Sequence, residues 1–246
     1  MGSTRSSVLN VLAMLLALSM ASSGCSSGEE VYEKHRLSMV REQIKSRGIA
    51  DEAVLEAMRG VSRHFFVPRE YMSMAYIDSP LPIGEEQTIS QPYIVALMTE
   101  SLGPGQGDRI LEIGTGSGYQ AAVLACIVDS VFTIEIIPSL AAGAEALLDS
   151  LGYDNVMVRT GDGYYGWPEK GPFDGIIVTA AAPHLPGELT SQLKTGGRLV
   201  IPIGSFPQKL LVYVKRPEGL ELVSSTSVRF VPMTGRIRER GNDDTE

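Results

Sequence analysis

The chain has 246 residues, enough for one α/β domain of ordinary size and too few for two. Hydrophobic residues make up 43% and charged residues 20%, a balance that supports a packed core and excludes wholesale disorder. With 29 acidic against 21 basic side chains the net charge is −8, so no basic excess is available for nucleic-acid phosphates, and the two cysteines make no disulfide framework.

A polar opening with Arg5 leads into an apolar run from Val8 to Ala21, followed by Ser22-Ser23-Gly24-Cys25. A helix of that length spans about 21 Å, short of a ~30 Å hydrocarbon core. Residues 1–24 therefore read as a signal peptide. Small residues just before a cysteine resemble a bacterial lipoprotein box, with Ser22 where that box usually has Leu. The expectation is an exported, periplasmic protein whose contact with a membrane is a lipid on Cys25; the alternative is an uncleaved tail on a cytoplasmic protein. With Cys25 lipidated, Cys126 is unpaired, and its apolar neighbours Leu124, Ala125, Ile127 and Val128 suggest core packing.

Residues 25–30 are small and acidic, a tether. A helix is expected to follow to Arg47, with Leu37, Val40 and Ile44 on one face and Gly48 as its stop. Asp51 can cap a second helix carrying Val54, Met58 and Val61 and ending near Gly60. Together they make an N-terminal helical layer. Pro80 to Gln91 reads as a loop that closes on a helix through Ile94, Leu97 and Met98.

From Asp108 the pattern is strand, glycine-rich turn, helix, repeated. Arg109–Ile113, Ser130–Ile136, Asn155–Val158, Phe173–Thr179 and Arg198–Ile203 read as strands, and Pro138 suits the first turn of a helix through Leu151. Such alternation indicates an α/β, doubly wound, mostly parallel sheet. Lys209–Lys215 and Leu220–Phe230 have no helix between them and are expected to pair as a C-terminal antiparallel hairpin. The domain is placed at 31–235, and 236–246 as a solvated, charged tail.

The strongest local signal is Leu111-Glu112-Ile113-Gly114-Thr115-Gly116-Ser117-Gly118-Tyr119, between an expected strand and an expected helix. Its glycines let backbone turn tightly and approach a ligand. Glu135 ends the next strand, placed to accept hydrogen bonds from ribose hydroxyls. A dinucleotide fingerprint would need glycine at 119, where Tyr stands. The acid Glu112 ahead of Gly114, Gly116 and Gly118 suits a cationic ligand, such as a sulfonium with an α-ammonium group, and would repel pyrophosphate. Asp162 and Gly163, after the third strand, read either as a β-turn or as an acceptor for an adenine amino group. Tyr164, Tyr165 and Trp167 flank adenine or pack in the core, the latter being the simpler reading. His64, in an aromatic stretch, reads as structural, and His35 and His184 lack metal-ligand spacing, so no metal is expected.

Several segments together resemble the protein-L-isoaspartate O-methyltransferase family. They are Arg63-His64-Phe65-Phe66-Val67-Pro68, Pro80 to Gly84, Gln87-Thr88-Ile89-Ser90-Gln91-Pro92-Tyr93, Leu111 to Val123, Gly161-Asp162-Gly163 and Arg229-Phe230-Val231-Pro232. The Thr88 to Pro92 segment is more specific than the glycine loop, which class I methyltransferases share in some form. Glu85-Glu86 departs from the family, which often has Tyr-Gly there. The resemblance implies a Rossmann-like class I methyltransferase fold and S-adenosyl-L-methionine as methyl donor, released as S-adenosyl-L-homocysteine. It implies isoaspartyl-containing proteins and peptides as substrates. Ser90 takes the family's active-site position, with Thr88 beside it. Glu112, Gly114, Gly116, Gly118, Glu135, Asp162 and Gly163 fall on the donor side. Ser90 reads equally well as the cap of the helix that starts at Pro92, and both readings can hold. A monomer is expected. The rival readings are a class I methyltransferase with another substrate, an NAD-dependent oxidoreductase, and an exported binding protein with an inactive pocket.

Overall fold

The computed structural model describes residues 28–240. The expected signal peptide and Cys25 lie outside the described residues. Helix α1 occupies residues 28–39, so 28–30, read as tether, are helical. The chain then widens into a π-helical stretch, Val40–Ile44, tightens into a 3-10 turn, Lys45–Arg47, and stops at Gly48 with φ 98°. Widening the helix shifts the phase of its buried face. Met39, Val40 and Ile44 are buried, whereas Leu37, expected beside them, is 44% exposed. Helix α2 (Glu52–Gly60) begins as expected: the Asp51 carboxylate accepts from the Val54 amide at 3.1 Å.

The segment Pro80 to Gln91 is not a simple loop. Strands β1 (Leu81–Gly84) and β2 (Gln87–Ile89) pair antiparallel around Glu85-Glu86. Both turn residues have positive φ, 51° and 57°. That is the type I′ hairpin geometry, which Asn-Gly ordinarily signals. Two glutamates give no such signal, and so the hairpin is hidden in the sequence. Helix α3 (Pro92–Leu102) follows, with Pro in its first turn.

Seven strands form the main sheet: β3 (Arg109–Ile113), β4 (Ser130–Glu135), β5 (Val156–Thr160), β6 (Phe173–Val178), β7 (Leu193–Ile203), β8 (Gln208–Arg216) and β9 (Gly219–Val228). Their order is β5-β4-β3-β6-β7-β8-β9. The first five are parallel; β8 is antiparallel to β7, and β9 to β8, which is the expected terminal hairpin. Helices α4 (Tyr119–Ala125), α5 (Pro138–Ser150) and α6 (Gly187–Ser191) lie between strands. The sheet is doubly wound and mostly parallel, a Rossmann-like fold.

Central strands are apolar on both sides because both faces are covered. Along β3, Ile110 enters the core shared with Met58, Val95 and Val123, while Leu111 and Ile113 enter the core shared with Phe132, Phe173 and Leu199. Each fully buried Leu or Ile contributes roughly 1.5–3 kcal/mol. The same alternation puts Glu112 on the Ile110 side, opposite Thr133 on β4 and Ile177 on β6.

Two expectations need correction at the periphery. Cys126 is exposed, because it caps the C-terminus of α4 and turns away from the core. The tail is not wholly solvated either: Ile237, at the start of α7 (Ile237–Arg240), is completely buried in the second core.

Candidate active site

The order of the parallel strands reverses between β3 and β6, and a crevice opens at their carboxyl ends, the usual ligand position in open α/β sheets. Its walls come from three places. The β1–β2 hairpin and the chain after it supply Thr88 and Ser90, the end of β4 and the loops after β3 and β5 supply Glu135, Gly114, Gly116 and Gly163, and the C-terminal segment supplies Val231 to Thr234.

The glycine loop is held from below. Thr179, just past β6, donates its hydroxyl to the carbonyls of Ile113 (3.0 Å) and Gly114 (2.6 Å). Gly114 has φ 97°, and a Cβ there would collide with Thr179 Oγ1. Only glycine meets both conditions. From above, Ile83 of the hairpin packs on the loop: a Cβ on Gly116 would lie 3.3 Å from its Cδ1. The Glu135 carboxylate accepts from the amides of Gly116 (2.8 Å) and Ile137 (3.0 Å), which joins the ends of β3 and β4.

Three residues assigned to the donor side from sequence do not line this cavity: Glu112, Gly118 and Asp162. Gly118 is the N-cap of α4, with φ 87°, and packs against Leu148 and Ala144 of α5. Glu112 lies under the loop, fully buried, and neither carboxylate oxygen has a hydrogen-bond partner. Burial pushes its carboxyl up to about 8, reinforced by the Glu135 carboxylate. Asp162 caps the 3-10 turn Gly163–Tyr165, accepting from the Tyr164 amide at 2.9 Å. Its second oxygen accepts from the Arg236 amide at 2.7 Å. Gly235 is so close that a Cβ would lie 2.5 Å from Asp162 Oδ2. Asp162 therefore ties the C-terminal wall to the turn after β5.

Ser90 lies between the end of β2 and the start of α3. The N-cap of α3 is Gln91, with no side-chain cap, so Ser90 is not the helix cap that its position before Pro92 suggests. Its carbonyl accepts from Arg63 Nη2 at 2.8 Å. From the sequence Arg63 has no assigned part in the site; its signals are a charge next to an aromatic stretch and its place in the family-resembling segment Arg63 to Pro68. His64 is structural: its Nδ1 meets Tyr76 Oη at 2.8 Å, and Tyr32 of α1 stacks on its ring at 4.0 Å. Tyr164 is buried, Tyr165 is exposed and Trp167 packs edge-on against Phe132; none of the three lines the cavity.

A doubly wound sheet with an acid–glycine loop at its switch point, and an acid closing the neighbouring strand, defines the Rossmann-like class I methyltransferases. Residues 34–238 match the model of the protein-L-isoaspartate(D-aspartate) O-methyltransferase family, and the chain belongs to that family. It is 54% identical over 208 residues to protein-L-isoaspartate O-methyltransferase 2 of Shewanella sediminis, covering 84% of this chain and 85% of that one. To the Opitutus terrae protein-L-isoaspartate O-methyltransferase it is 52% identical over 228 residues, 92% of this chain and 97% of that one. A solved protein-L-isoaspartate O-methyltransferase superposes with a TM-score of 0.77 at 32% identity, covering 86% of this chain and 69% of the other. A Plasmodium falciparum beta-aspartate methyltransferase, solved in complex with S-adenosyl-L-homocysteine, superposes with a TM-score of 0.70 at 28% identity, covering 81% and 98%.

Proposed function

We propose that this protein transfers a methyl group from S-adenosyl-L-methionine to the α-carboxylate of L-isoaspartyl residues in damaged proteins and peptides, the step that starts their return to aspartate. The observation that carries the reading is the cavity itself: family-matching Thr88 and Ser90 line one crevice with Gly114, Gly116 and Glu135. The site fits a cationic nucleoside donor. Glu135 is anchored at the end of β4, where it lines the cavity and can accept from ribose hydroxyls.

When bound, S-adenosyl-L-methionine supplies an electrophilic methyl group on a sulfonium. A carboxylate with a pKa of ~4 is already ionised near neutral pH, so the chain needs no general base. Anion and cation combine into neutral products, and a water-poor crevice favours that loss of charge. What the residues supply is alignment. Ser90, which lines the cavity, is the group assigned to orient the substrate carboxylate. A hydroxyl bonded to a charged group contributes on the order of 1.5–3 kcal/mol. Thr88 stands beside it on the same wall.

The test is transfer of labelled methyl from the donor to paired peptides that differ only in isoaspartate or aspartate. Base-labile label on the isoaspartyl peptide alone is the expected result. Donor binding without label on either peptide would move the substrate elsewhere. Ser90→Ala should lower turnover about tenfold with donor affinity unchanged; collapse of donor binding in a folded variant would remove Ser90 from the substrate side.

The repair reaction is assigned to the outside of the cytoplasmic membrane. This rests on the apolar run Val8 to Ala21 and the small residues before Cys25. Labelled fatty acid should enter the full chain in a bacterial host and be lost in Cys25→Ser. Equal labelling of both, or recovery of both in the cytoplasm, would end that assignment.

A further inference from the structure

Arg63 is completely buried and takes part in no ion pair among the described residues. A buried charge without a counter-charge is costly, so its bonds must be strong and numerous for the fold to keep it. Nε donates to the Ala75 carbonyl at 2.7 Å and Nη2 to the Ser90 carbonyl at 2.8 Å. The guanidinium carbon lies 4.8 Å from the centre of the Tyr119 ring, and Nη1 has no partner. Burial lowers the Arg63 pKa only to about 10, so the group remains cationic at neutral pH.

Two of these contacts join separate parts of the site. Ser90 and Tyr119 both line the cavity, one from the hairpin side and the other from the first turn after the glycine loop. Ser90 is also where regular structure lapses. The β1–β2 ladder ends at Ile89, α3 begins at Pro92, and Pro92 brings no amide hydrogen of its own. The planar fork of an arginine can bond two carbonyls in fixed relative directions while its face rests on an aromatic ring. A lysine has the charge without that geometry.

We infer that Arg63 is a positioning residue for methyl transfer: its guanidinium fixes the Ser90 backbone against Tyr119 and so sets the Ser90 hydroxyl relative to the donor. The inference rests on the substrate-side reading of Ser90. Misplacing a reacting group by about 1 Å can cost roughly a hundredfold in rate.

The experiment compares wild type, Arg63→Lys and Arg63→Gln for turnover and KM with an isoaspartyl peptide, donor affinity by calorimetry, and thermal midpoint. Both variants should fold, bind donor within about threefold of wild type, and lose between about ten- and a hundredfold in kcat. A folded variant that keeps wild-type kcat overturns the inference. So does a loss of kcat matched by an equal loss of donor affinity, and failure of both variants to fold would assign Arg63 to stability alone. Absence of turnover in wild type is a different result: it strikes the proposed reaction, not Arg63.

Discussion

The hydroxyl of Ser139, in the first turn of α5, donates to the Glu85 carboxylate at the tip of the β1–β2 hairpin, at 2.8 Å. With Ile83 resting on the glycine loop, this bond fastens the hairpin across the cavity from two sides. The prediction is that donor exchange requires the tip to lift. Ser139→Ala should raise the dissociation rate of S-adenosyl-L-homocysteine by a few-fold, measured by stopped flow, with little change in thermal midpoint. An unchanged rate would show that the tip does not guard the donor.

The same tip carries strain. Glu86 has φ 57°, a conformation that costs a non-glycine residue about 1–2 kcal/mol. Glu86→Gly should therefore stabilise the protein by about 1 kcal/mol in urea denaturation. A loss of stability would mean that the Glu86 side chain makes a compensating contact in solution.

Gly114→Ala introduces a Cβ into Thr179 Oγ1 and imposes the left-handed penalty at φ 97°. The loop must move, breaking the Thr179 bonds to Ile113 and Gly114. Donor binding should fall below detection in calorimetry while the far-ultraviolet circular dichroism of the sheet persists. Wild-type affinity would displace the donor from this loop.

Glu112 gives a pH signature. Its ordinary value is 4.5, and in the folded protein burial raises it to about 8. Between those values the folded state holds a proton that the unfolded state has released, so stability falls as pH rises through that window. The effect is on the order of a few kcal/mol. Glu112→Gln should flatten the stability difference between pH 5 and pH 8, measured by urea denaturation without donor. If wild type and variant show the same slope, Glu112 is not the group that titrates.

Gly235→Ala tests the C-terminal wall. A Cβ there would lie 2.5 Å from Asp162 Oδ2, and φ is 89°. Displacing Gly235 breaks the bond from the Arg236 amide and loosens Met233 and Thr234, which line the cavity. Donor affinity should drop about tenfold, equivalent to ~1.4 kcal/mol, in calorimetry. An unchanged affinity would make the wall dispensable.

Where the sequence was legible, the reason is burial on both faces of a strand. Arg109–Ile113 is found where expected because an apolar run that stops at Gly114 has one reading in this context. Asp51 and Pro138 were legible as helix starts because capping and first-turn chemistry is local. The β1–β2 hairpin was not, since its turn places glutamates where glycine or asparagine would announce positive φ. Cys126 and Leu37 misled because apolar neighbours do not fix which way a residue faces at a helix end or past a π-helical stretch. In the site, spacing located the loop but not the side of the sheet: Glu112 shares a face with Ile110, and so it lies under the loop rather than on the wall. Arg63 and Gly235 were missed because their roles arise from contacts across the chain, 27 residues from Ser90 in one case and 73 from Asp162 in the other.

The tie between Asp162 and the segment at Gly235 has a consequence for how the protein is made. A chain is synthesised from its N-terminus, and domains fold as their parts emerge. The sheet strands from β3 to β7 and the glycine loop precede the last wall by many residues, yet Val231 to Thr234 complete the cavity and Ile237 seals the second core. A nascent chain lacking that stretch has a nearly finished scaffold and an unfinished site. Donor competence is thus conferred only once residues 231–237 have joined the fold, so a chain truncated before them would be expected to keep much of the sheet and yet remain inactive.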